Sequence, residues 1–313
     1  MLALFACACA APARAADVVR FGVDANTLGA QVWVAVDRGD FRRYGIDPQV
    51  VVFPLGVDAI DAVLTGRVDL ATALDFAAAT RLPSNQMRIV SAIMRPNPGF
   101  HKLAVIAAIR RRSDLIGKRI GVVRATAQSF VTIQYLARNG IPADRVTILS
   151  FQDLFDEVAA MRAGRIDAAF VWANGVAQAT LIPGVHILED DSSSGVHFFG
   201  YLVTGARYER GHAAQIEACL RALTDATAFM QAHPRQAAEI VAAHTGAEVD
   251  TIDEIMRASH YIIGLSPRNR TTFIAMTAFA TINDPMHVPL DPAGAFDDAF
   301  LHAAEPRLDA LHR

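Results

Sequence analysis

The chain has 313 residues, which is too long for one small core and predicts about two domains. Hydrophobic residues make up 52% and charged residues 19%, a composition that excludes a disordered chain. The formal charge of -3 gives no basic excess of the kind that nucleic-acid-binding proteins carry.

The first fifteen residues are predicted to be a signal peptide. Leu2–Ala11 is apolar, and Ala13–Ala15 has the A-x-A form of a cleavage site. No basic residue precedes the apolar stretch, so lipid attachment at Cys7 and burial of the segment in the fold are alternative predictions. Because Cys9 also lies in this segment, a mature chain would keep Cys219 alone, without a disulfide or a cysteine metal site.

The predicted elements alternate between strands and helices from residue 18 onward. Apolar, β-branched runs predict strands, and periodic stretches that end at glycine predict helices. In the first hundred residues the strands are Val18–Val23, Gln49–Phe53, Val68–Ala73 and Arg88–Ala92, and the helices are Gly29–Asp37 and Asp58–Thr65. This alternation implies right-handed crossovers and parallel strands.

A second series repeats the alternation, and a helical tail follows it. Its strands are Leu103–Ile109, Arg119–Val123, Arg145–Ser150, Ile166–Trp172, Val185–Leu188 and Phe198–Thr204, and its helices are Ser129–Asn139 and Asp153–Ala163. The tail has predicted helices at Ile216–Met230, Pro234–His244, Thr251–Ala258 and Thr271–Ile282. No new strand series begins there, so we expect the tail to pack on the first lobe.

An internal repeat supports two similar lobes. Arg20–Val23 matches Arg119–Val122 at an offset of 99 residues (119 minus 20), and Gly66–Asp69 matches Gly164–Asp167 at an offset of 98 (164 minus 66). Two segments that agree in order and offset predict two α/β lobes with mixed, mostly parallel sheets, joined by a two-strand hinge. The predicted organisation is lobe one at 16–104 and 201–313, and lobe two at 105–200.

The motifs of this repeat resemble those of type II periplasmic binding proteins. Leu115–Val122 is similar to the segment that opens their second lobe, and Gly164–Ala168 with Val171–Trp172 is similar to a later segment. The set resembles the nitrate/sulfonate/taurine subgroup, which includes pyrimidine-precursor binders. The resemblance implies a periplasmic, monomeric, non-enzymatic protein without a cofactor. Such a protein captures a small anionic or heteroaromatic solute by hinge closure and delivers it to an ABC permease.

Candidate binding residues follow the carboxyl ends of the predicted strands, where open parallel sheets bind ligands. Several precede helix N-termini, whose free N–H groups favour anions. An anionic ligand is therefore predicted at the start of helix Ser129–Asn139, beside Thr126 and Arg124. The predicted site comprises Asp24, Asn26, Thr27, Gly56, Val57, Asp75, Phe76, Arg95, Arg124, Thr126, Ala127, Gln128, Ser129, Asp153, Trp172, Asn174 and His197.

Several candidates also have a purely structural interpretation. Thr126 and Asp75 have the residue types of helix caps, and Asp24 and Asp75 are alternatively predicted to meet a ligand amine. Arg124 is alternatively a solvated surface residue. The repeated acidic residues, Asp69 and Asp167, are predicted to be structural.

Two other function classes fit the same pattern. Enzymes related to thiamin-pyrimidine synthesis resemble the same subgroup, but they carry a Cys-rich iron motif that a chain with one mature cysteine lacks. The run Ser192–Gly195 also lacks the Gly-x-Ser-x-Gly elbow of hydrolases. A ligand-binding sensor module for a membrane receptor would look the same in sequence.

Overall fold

A computed structural model describes residues 15–124, 126–283 and 290–311. The predicted signal peptide lies outside these ranges apart from Ala15, and so do Cys7 and Cys9. Within the described ranges, no helix has both the length and the apolar character needed to cross a bilayer.

The described residues form eleven strands and thirteen α-helices. The strands are β1 (Asp17–Asp24), β2 (Ile46–Phe53), β3 (Leu70–Leu74), β4 (Met87–Pro96), β5 (Lys102–Ile106), β6 (Arg119–Val123), β7 (Thr147–Phe151), β8 (Ala168–Val171), β9 (Val185–Asp190), β10 (Gly200–Gly205) and β11 (Ser259–Gly264). The helices are α1 (Ala30–Asp37), α2 (Asp40–Arg43), α3 (Gly56–Leu64), α4 (Asp75–Arg81), α5 (Ala127–Arg138), α6 (Leu154–Arg162), α7 (Asn174–Thr180), α8 (Ala206–Glu209), α9 (Ala213–Ala232), α10 (Pro234–Thr245), α11 (Val249–Arg257), α12 (Pro267–Asn283) and α13 (Ala299–Ala304).

Two mixed sheets confirm the predicted α/β class. The first has six strands in the order β11-β4-β10-β3-β1-β2, and the second has five in the order β7-β6-β8-β5-β9. Strands β1, β2 and β3 pair in parallel, as do β6, β7 and β8. Strands β5 and β10 each follow a segment in which the chain passes from one sheet to the other, and each runs antiparallel to both of its neighbours.

The internal repeat is visible in the strand register and in a repeated ion pair. Phe21 aligns with Leu70 in the first sheet, as Ile120 aligns with Ala168 in the second. The guanidinium of Arg20 donates to Asp69 at 2.6 and 3.0 Å, and its backbone N–H donates to the same carboxylate at 2.8 Å. Arg119 makes the same three bonds to Asp167, at 2.7, 3.0 and 2.9 Å. These two aspartates therefore hold strand β1 to the start of β3, and β6 to the start of β8.

The chain passes between the sheets twice, at residues 97–101 and 191–199. Strand β5 pairs entirely within the second sheet, so the boundary predicted at residue 104 falls inside a strand and the first crossing comes before Lys102. Asp191 joins the two crossings, because its carboxylate accepts from the backbone N–H of Gly99 at 2.8 Å and from the Nδ1 of His101 at 2.8 Å.

The helical tail packs on the first sheet. Helix α9 buries residues spaced by three and four positions, Ile216, Cys219, Leu223 and Ala226 among them, which is the pattern of a helix with one core-facing side. Strand β11, between α11 and α12, adds the edge strand of the first sheet beside β4.

Candidate functional site

A cavity of about 70 Å³ lies between the two sheets, at the carboxyl ends of strands from both. We call it the cleft. That volume holds roughly five water-sized groups, so the cleft in this conformation suits a small ligand. Its lining consists of Asp24, Asn26, Thr27, Leu28, Leu55, Gly56, Val57, Leu74, Ala77, Met94, Phe100, His101, Thr126, Ala127, Gln128, Trp172 and Ala173.

Asp24 supplies the carboxylate of the cleft, at the end of β1. Burial raises its pKa to about 6, although the side chain of Asn26 and the backbone N–H groups of Asn26, Gly29 and Leu28 lower it. Its Oδ1 is buried and has no hydrogen-bond partner among the described residues. A buried acceptor without a donor is costly, so this atom is a natural contact for a ligand donor.

Two helices point their N-termini at the cleft, as the sequence predicts. Helix α3 begins at Gly56, where a side chain would bring a Cβ within 2.9 Å of the Cα of Ala73. Glycine therefore allows this helix end to approach strand β3 closely. Helix α5 begins after Thr126, whose Oγ1 donates to the carbonyl of Val123 and does not cap the helix. The first N–H groups of each helix consequently have no intrahelical acceptor.

Gln128 lines the cleft, but its side chain is used within the second lobe. Its Oε1 accepts from the N–H of Val123 at 2.9 Å. Its Nε2 donates to the carbonyl of Phe170 at 3.0 Å and to the buried carboxylate of Glu157 at 3.1 Å. Burial raises the pKa of Glu157 well above its usual value. The side-chain amide thus ties α5 to β6, β8 and α6, which leaves the backbone of Gln128 for the cleft.

Eight of the predicted site residues lie outside the cleft lining. Asp75 is fully buried, and its two oxygens accept from the backbone N–H groups of Phe76 at 2.8 Å and Phe199 at 3.1 Å. It therefore fixes α4 to the second crossing and does not reach a ligand. Phe76 is buried and packs on Phe279 of α12, with 5.7 Å between ring centroids.

Arg95 and His197 lie at a different cavity, beside the two crossings. That cavity measures about 380 Å³ and also contains Arg268 of α12. The shorter predicted strand, Arg88–Ala92, placed Arg95 beyond the end of the sheet. Strand β4 in fact continues to Pro96, so Arg95 lies within the sheet.

The other four candidates occupy surface or capping positions. Arg124 is exposed in the turn after β6, and Ser129 donates its hydroxyl to the carbonyl of Thr126 at 2.8 Å. Asp153 caps α6 by accepting from the N–H of Asp156 at 2.8 Å. Asn174 is the first residue of α7, and its neighbour Ala173 lines the cleft instead.

Sequence comparison identifies the family. The sequence model described as "NMT1/THI5 like" matches residues 26–237 of the chain. The chain belongs to the NMT1/THI5-like family. A protein of Brucella abortus (strain 2308), named as a candidate binding protein, is 27% identical over 156 residues, which is 49% of this chain and 47% of that relative. The match thus spans about half the length of the relative.

Solved structures share the fold of this NMT1/THI5-like chain. The periplasmic aliphatic sulphonate binding protein SsuA of Escherichia coli superposes with a TM-score of 0.77 at 17% identity, covering 89% of this chain and 97% of its own. The alkanesulfonate-binding protein SsuA of Xanthomonas axonopodis pv. citri, bound to MOPS, gives 0.76 at 19%, covering 91% and 100%. The desulfurization enzyme DSZB gives 0.67 at 14%, covering 95% and 100%. At these identities the likeness establishes the type II periplasmic binding protein fold and nothing about the ligand.

The cleft of this NMT1/THI5-like protein also contains residues that are absent from the predicted site. His101 is almost fully buried, and its ring lies 5.6 Å from the ring of Trp172 in an edge-on arrangement. Because a carboxylate only accepts, the 2.8 Å contact with Asp191 places the proton on Nδ1 and directs Nε2 away from that partner. Phe100 and Met94 add apolar wall. The sequence places both His101 and His197 beside the crossing segments. A single histidine in each segment gives no reason to predict that His101, and not His197, lines the cleft.

Ala173 contributes backbone strain to the cleft. Its φ of 46° is uncommon for a residue with a Cβ, and it follows Trp172 directly. Strained backbone persists where its surroundings hold it in place, and it is concentrated at functional sites. This conformation fixes the turn from β8 into α7 and so sets the position of Trp172 against His101.

Proposed function

We propose that this protein is the extracytoplasmic solute-binding component of an ABC importer, which captures a small solute in the cleft. One observation carries the proposal: the cleft is lined by residues of both lobes, and within the described part of the chain only two crossing segments, 97–101 and 191–199, connect those lobes. A ligand that contacts both walls lowers the free energy of the closed arrangement and draws the lobes together. The solved structures that share the fold, two of them sulfonate-binding proteins, support the same role.

Export and delivery to a permease complete the proposal. A chain cleaved after Ala15 would begin at Ala16, directly before β1, which starts at Asp17. Cleavage there would remove no part of the sheet. Attachment of a lipid at Cys7 is the alternative route to the same compartment. The loaded protein, acting as a monomer, would then present its closed lobes to the transmembrane subunit.

An enzyme on the same fold is the alternative that one observation favours. The pair formed by His101 and Asp191 has the arrangement of a histidine base held by a carboxylate, and it borders the cleft. The described cleft lining contains no cysteine or serine to act as its nucleophile. Cys219 is buried in α9, where burial raises the pKa of its thiol. A sensor module would use the same binding step and would differ only in its membrane partner.

Thermal denaturation with a panel of small solutes, followed by small-angle scattering, tests the binding role. A true ligand raises the melting temperature, because it binds the folded state alone, and it reduces the radius of gyration. Consumption of that solute by the purified protein would support an enzyme instead. N-terminal sequencing of protein from the cell envelope tests export: a chain that begins near Ala16 supports it, and a cytoplasmic chain that retains Met1 contradicts it.

A further inference from the structure

We infer that the cleft selects a small ligand that carries N–H or O–H donors and no net negative charge, with Asp24 as the residue that determines this specificity. The inference rests on the proposed solute-binding function. It differs from what the names of the sulfonate-binding relatives suggest, and it differs from the anion anchor that the sequence predicts at α5.

The first step is the unpaired oxygen of Asp24. Its Oδ1 is buried in the cleft wall without a donor among the described residues. The nearby N–H groups of Asn26, Gly29 and Leu28 only partly offset the loss of water around the carboxylate. A ligand donor at this atom would remove the cost of the unpaired acceptor, whereas a sulfonate or carboxylate would add a second negative charge beside it.

The second step is the charge balance of the cleft. Asp24 is a formal negative charge, and the described lining contains no lysine or arginine to oppose it. Arg124 is exposed outside the lining, and Arg95 lies at the other cavity. The N-termini of α3 and α5 each supply about half a positive charge, and Asp58 in the first turn of α3 offsets part of it. Their N–H groups suit a ring nitrogen or a carbonyl oxygen of the ligand.

The third step is His101. Its Nδ1 donates to Asp191, and this bond holds the ring edge-on to Trp172 in the cleft wall. Trp172 and Phe100 provide flat apolar surface beside it. The unpaired acceptor of Asp24, the helix N–H groups and the aromatic walls together describe a small planar molecule with an amino or amide edge.

Calorimetric titration of wild type, Asp24→Asn and Asp47→Asn tests the inference with four probes. The donor-bearing probes are 4-aminopyrimidine and benzylamine, and the anions without donors are ethanesulfonate and benzenesulfonate. Asp47 is the matched control, because it lies near the opposite end of β2 from the cleft and outside its lining. We expect a donor-bearing probe to bind wild type more tightly than either sulfonate. Asp24→Asn should weaken that binding about tenfold or more, and Asp47→Asn should leave it unchanged.

Tighter binding of a sulfonate to wild type, unchanged or improved in Asp24→Asn, would overturn the inference and leave the solute-binding function intact. Mass spectrometry of small molecules released by denaturing the protein from the cell envelope gives a second readout. A released molecule with amino or amide donors and no negative charge supports the inference, and a released anion without donors overturns it. If all four probes fail to bind, nothing is released and a cell extract does not raise the melting temperature, the proposed function fails as well.

Discussion

At the scale of single residues, the Asp24 carboxylate that lines the cleft also makes the stability of the folded protein depend on pH. Burial raises its pKa in the folded protein to about 6, above the usual 3.8 that it has when unfolded. The folded state therefore holds the proton more strongly between these two values. The free energy of unfolding decreases as the pH rises through this window, and it reaches its lower level above the folded pKa.

Asp24→Asn should remove this pH dependence. A difference of about 2 pKa units corresponds to about 3 kcal/mol, so between pH 4 and pH 7 the variant should gain up to that amount relative to wild type. Urea unfolding at several pH values measures the difference. An equal pH slope in wild type and Asp24→Asn would show that the Asp24 carboxylate keeps its ordinary pKa.

Gly56 allows a helix end to reach the cleft, and this makes it sensitive to a single methyl group. A Cβ at this position would meet the Cα of Ala73 at 2.9 Å, a backbone atom that cannot turn aside. We expect Gly56→Ala to lower the free energy of unfolding by about 1–3 kcal/mol and to weaken ligand binding by displacing α3. Gly211→Ala is the control, since a Cβ there has no atom within 4 Å. Equal stability of the two variants would contradict the close approach.

At the scale of elements, the repeated Arg–Asp pairs give the internal sequence repeat the same structural role in both lobes. Each aspartate binds a guanidinium and a backbone N–H, so it joins two neighbouring parallel strands. Asp69→Ala should lower the free energy of unfolding by about 1.5–3 kcal/mol, toward the lower value because Arg20 is 40% exposed. Asp167→Ala should have a smaller effect in the same direction, since its carboxylate is more exposed. Thermal unfolding measures both changes.

The matched control for these variants is Asp250→Ala. Asp250 also pairs with an arginine, Arg235, at 2.6 Å, but it is 89% exposed. Surface pairs of this kind contribute little, so its melting temperature should not change. A decrease as large as that of Asp69→Ala would mean that ion pairing alone, without the strand-joining backbone bond, accounts for the effect.

The elements that the sequence predicts well are those with a local signal. Strand β6 lies at its predicted bounds, and α10 begins at Pro234 as predicted, because apolar runs, proline and glycine mark these ends within a few residues. Strand β11 is missed, since its burial alternates over only six residues and its pairing with β4 is long-range. Helix α4 is anticipated only through Asp75 as a cap residue and has no predicted bounds, because it begins immediately after β3 without a turn residue between them.

The candidate site is less predictable than the fold, for a physical reason. Strand polarity indicates one edge of each sheet, and it selects Asp24, Gly56 and Thr126, which lie in the cleft lining. Which side chains at that edge face the other lobe depends on packing between lobes. The Asp75 carboxylate accepts a hydrogen bond from the backbone of Phe199, and Asp191 holds His101 in the cleft wall. Each of these contacts joins residues about ninety or more positions apart. Spacing within one lobe carries no information about them.

At the scale of the whole molecule, an aromatic contact joins the lobes away from the two crossings. Phe279 of α12, in the helical tail, lies 4.5 Å from Phe130 of α5 between ring centroids, and 5.7 Å from Phe76 of α4. Helix α12 packs on the first sheet through Phe273 and Tyr201, so Phe279 is held by lobe one while it contacts lobe two. The ring therefore stabilises this arrangement of the lobes relative to a more open one.

Phe279→Ala should shift the ligand-free protein toward the open state. An aromatic pair contributes about 0.5–1.5 kcal/mol beyond its buried area, which corresponds to a change of about two- to tenfold in the ratio of closed to open molecules. We expect a larger radius of gyration without ligand, an unchanged radius at saturating ligand, and an affinity lower by up to the same factor. Ile274→Ala is the control on the same helix, because Ile274 is 42% exposed. Scattering profiles of Phe279→Ala and wild type that superpose without ligand, together with equal affinities, would show that the two crossing segments alone set the angle between the lobes.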